Sequence, residues 1–416
     1  MSIKYPKSLN IVFAKLIEHG IKPIIVGGYV RDAILNIDSN DIDVELYNVS
    51  SFEYVEKLLE EFGSLNSVGK SFGICKLKYK NLELDFSLPR VDSKIASGHQ
   101  GFQIKIDTSL DFATASSRRD FTLNAVGYDV KKRVILDPFN GIKDLKERRL
   151  KAVDLKKFDE DPLRVLRAVM FSSRFDFRLE NSLFMKCKSM MQENVLQELP
   201  HERIFEEIKK ILLQSKEPSK GFLLLKHLDG FVFFKEFNSL TNEEYLSILK
   251  SLDIFKTYNL KDKNSNIIIF LALLSSKFSN KQRDSFLKRL TNSKKMITQI
   301  ELLVQTQLSI ENFNNYEIYK LATKVNIEFY TFYLNALYHN KKIKKISLLR
   351  DKAKELGVLH KKAEPFISGK ILLKHNMKAS KLFSKILNDA YEAQMREEFT
   401  NEQEALVWLE KYLSYL

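Results

Sequence analysis

Glycine is distributed very unevenly along this chain of 416 residues. Ten of its fourteen glycines lie between Gly20 and Gly141, and only four follow. Glycine supplies tight turns and weakens helices, so the front part of the chain turns often and the rest can form long helices. The distribution predicts a mixed α/β front part followed by a helical part.

The front part contains several short stretches that are typical of β-strands. Residues 41–46 and 82–86 alternate between polar and apolar side chains, residues 73–79 do so over most of their length, and residues 23–26 are largely apolar. Alternation with a period of two is the pattern of a strand with one buried face. Together these stretches predict a small mixed sheet.

The pattern changes beyond about residue 155. Apolar residues there recur at spacings of three and four, as at Leu163, Leu166, Val169 and Met170, which indicates amphipathic helices packed around a core. The predicted fold class is α+β, with a small mixed-sheet head followed by an all-α neck, body and tail. The domains that we expect are a head over residues 1–150, a neck over 151–215, and a body with a tail over 216–416.

The charge of the chain points to an anionic partner. The net charge is +14, and it is concentrated in the back part: residues 1–150 hold 22 Lys and Arg against 20 Asp and Glu, whereas residues 151–416 hold 45 against 33. A nearly neutral head beside a basic helical part is typical of a catalytic domain attached to a region that binds a polyanion such as a nucleic acid.

Composition excludes several classes of protein. The longest apolar run, residues 267–274, is far shorter than the roughly 20 residues that span a bilayer, which excludes an integral membrane protein. The N-terminal residues lack the pattern of a secretory signal, and we expect a cytoplasmic location. Cys75 and Cys187 are too few for a disulfide framework or a four-cysteine zinc site.

The first candidate site is a pair of glycines between a predicted strand and a predicted helix. Gly27 and Gly28 follow the strand, and Arg31 lies one turn into the helix. Glycines at this place let the backbone approach a ligand closely, and the amides of a helix N-terminus favour a phosphate. A plain tight turn is the alternative interpretation.

Two carboxylates follow on the next predicted strand. Asp41 and Asp43 are one residue apart and therefore project from the same strand face. Like charges so close repel unless a cation lies between them, and oxygen ligands favour Mg²⁺. A third carboxylate would come from the neighbouring strand, where we favour Asp85 over Glu83 although both share one face. A solvated strand face is the alternative for the pair.

Two further patterns involve arginine. Arg118 and Arg119 precede Asp120, and guanidinium groups pair readily with phosphate, although such a run also forms surface ion pairs. Asp161 and Arg164 lie three residues apart at a predicted helix start and share one helix face. An aspartate followed by proline at that point is also a common helix cap.

These motifs occur in a fixed order, together with one more. In sequence they are Gly27–Asp32, Asp41–Asp43, Arg118–Ala125, Asp137–Leu145 and Glu160–Arg164. In that order they resemble the class II tRNA nucleotidyltransferases, the CCA-adding enzymes, and their bacterial poly(A) polymerase relatives. The resemblance is densest over residues 24–210.

The resemblance implies roles for individual residues. Asp41 and Asp43 would be catalytic and hold Mg²⁺, with Asp85 as the third catalytic carboxylate that we favour. The nucleotide-binding residues that it implies are Gly28 and Arg31 at the triphosphate, Arg119 with Asp120 and Asn124 at the incoming nucleotide, Asp161 and Arg164 at the base, and Arg167 at a phosphate.

The resemblance also implies a reaction and its partners. The chain would add CCA to the 3′ end of tRNA from CTP and ATP and release pyrophosphate, and its C-terminal half would hold the tRNA body. The alternatives are a poly(A) polymerase, a partial enzyme that adds only CC or only A, and an RNA-binding protein with an inactive head. The intact aspartates and arginines argue against the last of these.

Two further features of the sequence concern the comparison with this family. Met170 stands where many relatives carry an arginine, which removes one expected contact. The resemblance implies that residues 92–116 form the mobile loop that, in the family, helps to switch nucleotide choice from C to A. Their stretch Ser97–Gly101 is polar and contains glycine, which is typical of a flexible loop.

Overall fold

A computed structural model describes residues 3–69, 73–94, 102–375, 377–378 and 380–415. The chain divides into two compact units, the first formed by residues 1–215 and 220–235 and the second by residues 216–219 and 236–416. The strands, all in the first unit, are β1 (Lys22–Val26), β2 (Asp41–Tyr47), β3 (Ser64–Gly69), β4 (Ile74–Tyr79), β5 (Leu82–Ser87), β6 (Arg90–Lys94), β7 (Phe102–Ile106), β8 (Gly127–Asp129), β9 (Val134–Leu136), β10 (Arg149–Leu150) and β11 (Arg178–Leu179).

Helices of the first unit pack against its strands, and helices form all of the regular structure described in the second unit. Those of the first unit are α1 (Asn10–Glu18), α2 (Gly28–Ile34), α3 (Phe52–Glu60), α4 (Phe112–Ser116), α5 (Gly141–Lys146), α6 (Leu163–Phe175), α7 (Asn181–Gln192), α8 (His201–Gln214) and α9 (Pro218–His227), whose first two residues count with the second unit. Those of the second unit are α10 (Asn242–Lys256), α11 (Lys263–Leu274), α12 (Asn280–Leu290), α13 (Lys294–Gln305), α14 (Asn315–Ala322), α15 (Ile327–Leu337), α16 (Ile343–Glu355), α17 (Gly369–Lys374), α18 (Lys381–Met395) and α19 (Glu402–Leu413).

The main sheet has a mixed topology. Over the described ranges it contains seven strands in the order β3-β4-β5-β2-β1-β8-β9. Strands β2 and β5 run parallel, and the other neighbours in this sheet run antiparallel. The predicted α+β class, with a small mixed-sheet head followed by helices, is confirmed.

Strand β2 has two different faces because its side chains alternate. Ile42, Val44 and Leu46 are fully buried and belong to the main core of the head, together with apolar residues of α1, α2 and α3. The opposite face carries Asp41, Asp43, Glu45 and Tyr47. The alternation in the sequence therefore directs one set of side chains into the core and presents the other as a row of polar groups.

The apolar run that most resembles a membrane segment lies in the core of the second unit. Residues 267–274 form the end of α11 and are buried all round the helix, which packs against α10, α13 and α15. In the part of the chain that the structure describes, no helix is long and apolar enough to cross a membrane. A helix that is apolar on every side is typical of a central core helix.

The predicted loop over residues 92–116 is partly regular structure. Strands β6 and β7 pair with each other antiparallel, and both contribute residues to this range. Helix α4 forms the end of the range, and the carboxylate of Asp111 caps it by accepting a bond from the amide of Thr114 at 2.7 Å. The stretch Ser97–Gly101 lies outside the described residues. The expectation of a loop was therefore wrong for both flanks, where strand pairing and a helix cap satisfy the backbone.

The motif Asp137–Leu145 has a structural role. The carboxylate of Asp137 accepts hydrogen bonds from the amides of Gly141 and Ile142 at 2.6 and 3.0 Å and so caps α5. In the first turn of the helix, buried Asp144 accepts a bond from the Thr122 hydroxyl at 2.7 Å. The motif fixes α5 against the turn of residues 122–124 that follows the Arg-Arg-Asp run.

We expect Gly141→Ala to destabilise the protein by roughly 2–3 kcal/mol. A Cβ atom at this position would lie 2.2 Å from the carbonyl oxygen of Thr122 and 2.7 Å from Cγ2 of Val126. Thermal and urea unfolding followed by circular dichroism would measure the loss. The matched control is Asn140→Gly, since exposed Asn140 has a left-handed backbone (φ 61°) and its side chain makes no cap bond. A loss for Asn140→Gly as large as that for Gly141→Ala would contradict the argument.

Candidate active site

Asp41 and Asp43 lie beside the glycine turn. In the register of the sheet Asp43 is opposite Val26, the residue that precedes Gly27. A Cβ atom at Gly27 would lie 3.6 Å from Oδ2 of Asp43 and 2.8 Å from Nη1 of Arg119, and its φ of +68° is one that glycine adopts readily. The turn thus allows a carboxylate and a guanidinium to approach the same backbone segment.

The acidic pair has the electrostatics of a cation site. Burial, together with the neighbouring charge of Asp41, raises the pKa of Asp43 to about 6, and Arg119 partly opposes this shift. A raised pKa means that the negative charge of the carboxylate is poorly stabilised by its surroundings. A bound cation would offset both the burial of that charge and its repulsion by Asp41. The oxygen donors of the pair fit a divalent metal such as those that hard ligands select.

Asp85 lies next to the pair but is engaged elsewhere. The parallel register places it directly opposite Asp43, and its charge contributes to the raised pKa of Asp43. Its Oδ2 atom forms an ion pair with Nζ of Lys76 at 2.6 Å, and Glu83 is exposed. Among the residues that the structure describes, no group of three or more acidic, histidine or cysteine side chains is arranged to hold a metal.

The predicted site residues converge on one cleft of about 490 Å³. Asp85 is the exception, because it does not line the cleft. The lining contains Gly28, Arg31, Asp41, Asp43, Arg119, Asp120, Asn124, Asp161, Arg164 and Arg167. The structure therefore brings together residues from β2, α2, α6 and the Arg-Arg-Asp run. The two that are most distant in the chain, Gly28 and Arg167, are 139 positions apart.

Arg31 is more enclosed than its sequence position indicates. It is buried, and its guanidinium donates to the carboxylate of Asp32 from Nε at 2.7 Å and to Oδ1 of Asn124 from Nη1 at 2.7 Å. The rings of Phe171 and Phe175 lie 5.2 and 4.9 Å from its Cζ atom. This geometry makes Arg31 a support for neighbouring side chains on the cleft wall.

Asp120 joins the head to helix α6. Its carboxylate accepts hydrogen bonds from the amide of Phe121 and from Nδ2 of Asn124, both at 2.9 Å, and from Nε of Arg167 at 2.6 Å. Burial by itself would raise the pKa of Asp120, but Arg167 and these hydrogen bonds hold it below its usual value. The group is thus a fully satisfied buried charge.

Asp161 precedes helix α6 and has two kinds of partner. Its Oδ1 atom accepts a bond from the amide of Leu163 at 3.1 Å, so the capping interpretation is compatible with the geometry. Its Oδ2 atom lies 3.2 Å from Nη2 of Arg203 on α8. The carboxylate is therefore oriented from two sides while it lines the cleft.

Arg164 is held by backbone groups. Nη1 donates to the carbonyl of Lys157 at 2.7 Å, and Nη2 donates to the carbonyl of Arg118 at 3.0 Å. A guanidinium carries five N–H groups, so these two bonds fix its plane and leave donors for a ligand.

The sequence patterns did not indicate several residues of the cleft and its support. Arg174, Lys210 and Gln214 line the cleft beside Met170, so cations are present near the position of the missing family arginine. Arg174 lies four residues after Met170 on α6, and this helical spacing is a signal that could have indicated it; Lys210 and Gln214 lie four residues apart on α8, a separate helix that no local spacing connects to Met170. Glu45 was also missed, although it follows Asp41 and Asp43 with the same period of two.

Glu45 is the buried partner of the two arginines. It has no exposed surface, and its Oε1 atom lies 2.8 Å from Nη2 of Arg118 and 3.6 Å from Nη2 of Arg119. The hydroxyl of Tyr47 donates to Oε2 at 2.8 Å. Burial would raise the pKa of Glu45, yet the two guanidinium groups hold it below its usual range.

Known protein families match successive parts of this chain. The Poly A polymerase head domain family matches residues 24–151, a probable RNA and SrmB-binding site of polymerase A matches 176–240, and a putative tRNA nucleotidyltransferase domain 2 matches 260–409. A CCA-adding enzyme of Lactococcus lactis subsp. cremoris is 30% identical over 409 residues, which cover 95% of this chain and 94% of that protein.

The chain belongs to the CCA-adding enzyme family. A multifunctional CCA protein of Legionella pneumophila is 32% identical over 224 residues, 53% of this chain and 52% of the relative. Among solved CCA-adding enzymes, that of Bacillus stearothermophilus in complex with CTP matches with a TM-score of 0.73 at 20% identity, covering 98% of this chain and 97% of the other. The CCA-adding enzyme of Thermotoga maritima complexed with tRNA matches with a TM-score of 0.66 at 22% identity, covering 99% and 96%. These structures share the fold.

We expect Asp120→Asn to cost roughly 2–3 kcal/mol of folding stability near neutral pH, because it leaves the partly buried Arg167 guanidinium without its charged partner. The lowered pKa of Asp120 gives the pH dependence. Its stabilisation is complete above the usual aspartate pKa of about 4 and declines as the pH falls through the lower folded-state value. Urea unfolding of both proteins at several pH values would measure this difference.

The difference between the two proteins should stay constant from about pH 8 to pH 5 and narrow only below about pH 4. The control is Asp159→Asn, since Asp159 forms an exposed ion pair with Lys186 and should cost at most about 1 kcal/mol. Equal losses for the two variants would show that burial of Asp120 contributes nothing.

Proposed function

We propose that this chain adds CCA to the 3′ end of tRNA from CTP and ATP without a nucleic-acid template and releases pyrophosphate. The observation that carries the proposal is one cleft that contains both an acidic pair suited to a divalent metal, Asp41 and Asp43, and an Asp–Arg pair at the start of helix α6, Asp161 and Arg164. A relative along nearly the whole chain is a CCA-adding enzyme, which supports the same reaction.

The head supplies the groups for phosphoryl transfer. Asp41 and Asp43 would hold Mg²⁺, which when bound activates the 3′-hydroxyl of the RNA and neutralises the phosphates of the nucleotide. The turn at Gly27 and Gly28 leaves space for the triphosphate. Arg119, fixed against that turn, stabilises the charge that develops on the phosphates.

Helix α6 supplies the groups for base selection. Cytosine and adenine both present an amino group beside a ring nitrogen, so one carboxylate acceptor and one guanidinium donor can recognise either base. Asp161 and Arg164 have these properties and are each held by protein partners before a nucleotide binds. Preorganised groups of this kind select a base without a template because their orientation is fixed in advance.

The domains divide this work. We assign chemistry to the head (1–150), nucleotide choice to the neck (151–215), and binding of the tRNA body to the basic helical part (216–416). The excess of positive charge in the back part supports the last assignment, since phosphate contacts dominate binding to nucleic acids. A cytoplasmic location belongs to the same proposal.

The first test is incorporation of nucleotides into tRNA that ends before CCA. With Mg²⁺ and both nucleotides we expect products that end in CCA, with CTP alone products that end in CC, and with ATP alone no extension of this substrate. Sequencing of the 3′ ends measures each outcome. Long A tails would establish a poly(A) polymerase, and a stop after CC would establish a partial enzyme.

The matched control for this test is Asp43→Asn, which removes one charge of the acidic pair. We expect incorporation to fall by at least about 100-fold, because the charge stabilisation in the transition state depends on the pair, while binding of tRNA in a filter assay is unchanged. Binding of tRNA by the wild type without incorporation of any nucleotide would identify an RNA-binding protein with an inactive head.

We expect Arg164→Ala to impair nucleotide choice more than tRNA affinity. The variant removes a base-directed donor but leaves Asp161 and the metal pair in place. The KM values for CTP and ATP should rise by about tenfold, equivalent to one charged hydrogen bond, and the preference for C over A at the first position should weaken. An unchanged preference with unchanged nucleotide KM values would refute the role of Arg164.

A further inference from the structure

Glu45 connects the strand of the acidic pair to residues that contact the nucleotide in the proposed function. It lies on the same face of β2 as Asp41 and Asp43, two residues further along, and is completely buried. It does not line the cleft, so it cannot contact the nucleotide directly from its present position. Any effect of Glu45 on the reaction must act through its neighbours.

The neighbours of Glu45 are two guanidinium groups and one hydroxyl. One carboxylate oxygen, Oε1, faces both Arg118 and Arg119, and the other, Oε2, accepts the hydrogen bond from Tyr47. Two adjacent arginines repel each other in a partly buried place unless an anion compensates them. Glu45 is the anion that holds both of them against the sheet.

Each arginine carries the constraint to a different part of the cleft. Nη1 of Arg119 donates to the carbonyl of Asn124 at 3.2 Å and lies against the glycine turn, near the acidic pair. Arg118 acts through its backbone, because its carbonyl accepts the bond from Nη2 of Arg164 at 3.0 Å. A side chain of the sheet is thus linked through one short segment to the guanidinium of the base-reading pair.

We propose that Glu45 is a positioning residue for nucleotide selection, which fixes the Arg118–Arg119 segment and thereby the guanidinium groups of Arg119 at the triphosphate and Arg164 at the base. This inference rests on the proposed function. Tyr47 contributes to the same positioning, because its hydroxyl holds Oε2 of Glu45 and thereby fixes the orientation of Oε1. The role requires the charge of Glu45, since a neutral amide of the same shape cannot compensate two guanidinium groups.

The principal test is Glu45→Gln in steady-state kinetics with two substrates. A tRNA that ends before CCA reports on CTP, and a tRNA that ends in CC reports on ATP. We expect the KM for each nucleotide to rise by about tenfold, the KM for tRNA to stay within about twofold, and misincorporation of C at the final position to increase. A residue with a merely structural role would lower the amount of active enzyme without changing these ratios.

Two further variants complete the design. Tyr47→Phe leaves all charges in place and should shift nucleotide KM and misincorporation in the same direction by a smaller factor, and it carries the test if Glu45→Gln does not fold. Glu60→Gln, at the exposed end of α3, makes the same chemical change away from the cleft and should leave every parameter at the wild-type value.

A double variant tests the path through Arg164. If Glu45 affects base choice by orienting Arg164, then Glu45→Gln should change the C-to-A preference by less than about twofold in the Arg164→Ala background, because coupled residues are not additive. Independent, multiplying effects on that preference would overturn the proposed path. Folded Glu45→Gln with wild-type nucleotide KM and fidelity would overturn the proposal as a whole.

Direct binding separates this inference from the proposed function. Calorimetric titration of the protein with CTP and with ATP, in the absence of RNA, measures nucleotide affinity without turnover. If the wild type adds nothing to tRNA, the proposed function fails, while weaker nucleotide binding by Glu45→Gln than by Glu60→Gln still supports the positioning role. Equal binding by these two variants would contradict it.

Discussion

The candidate active site depends on two carboxylates that a single strand places side by side although their charges repel each other. Asp41 and Asp43 share one face of β2 because side chains alternate along a strand, and the opposite face anchors the strand in the core through Ile42, Val44 and Leu46. The strand cannot shift its register to separate the charges without exposing those apolar residues. Burial, and after it the neighbouring charge of Asp41, raises the pKa of Asp43, and a divalent cation would compensate the charge of the pair.

Around this pair the protein arranges guanidinium groups, each compensated by a carboxylate. Arg119 and Arg118 are compensated by Glu45, Arg167 by Asp120, and Arg31 by Asp32. Buried charges are costly unless they are paired, so these partners determine where each guanidinium can lie. Of these pairs, the one between Asp120 and Arg167 joins the segment after α4 to helix α6, and in the proposed function it connects the groups for chemistry to those for base selection.

Several elements of the fold were predictable because they depend on local patterns. Strands β1, β2, β4 and β5 follow from short runs of apolar or alternating residues, and the acidic pair follows from the period of two. The apolar run in α11 was correctly excluded as a membrane segment by its length alone. The prediction of a loop was wrong for the flanks of residues 92–116. Strands β6 and β7 pair there, and composition does not reveal such a contact between two segments.

The sequence by itself determined which chemical groups are available and which of them share a face, since alternation and helical spacing are properties of the local backbone. Only the tertiary structure decided which groups meet. Asp85 carries the right charge beside Asp43 but pairs with Lys76, and Arg31 belongs to the right motif but is enclosed by Asn124 and two aromatic rings. Such outcomes depend on desolvation and on partners distant in the chain, because the energy of a buried charge is set by every group packed around it.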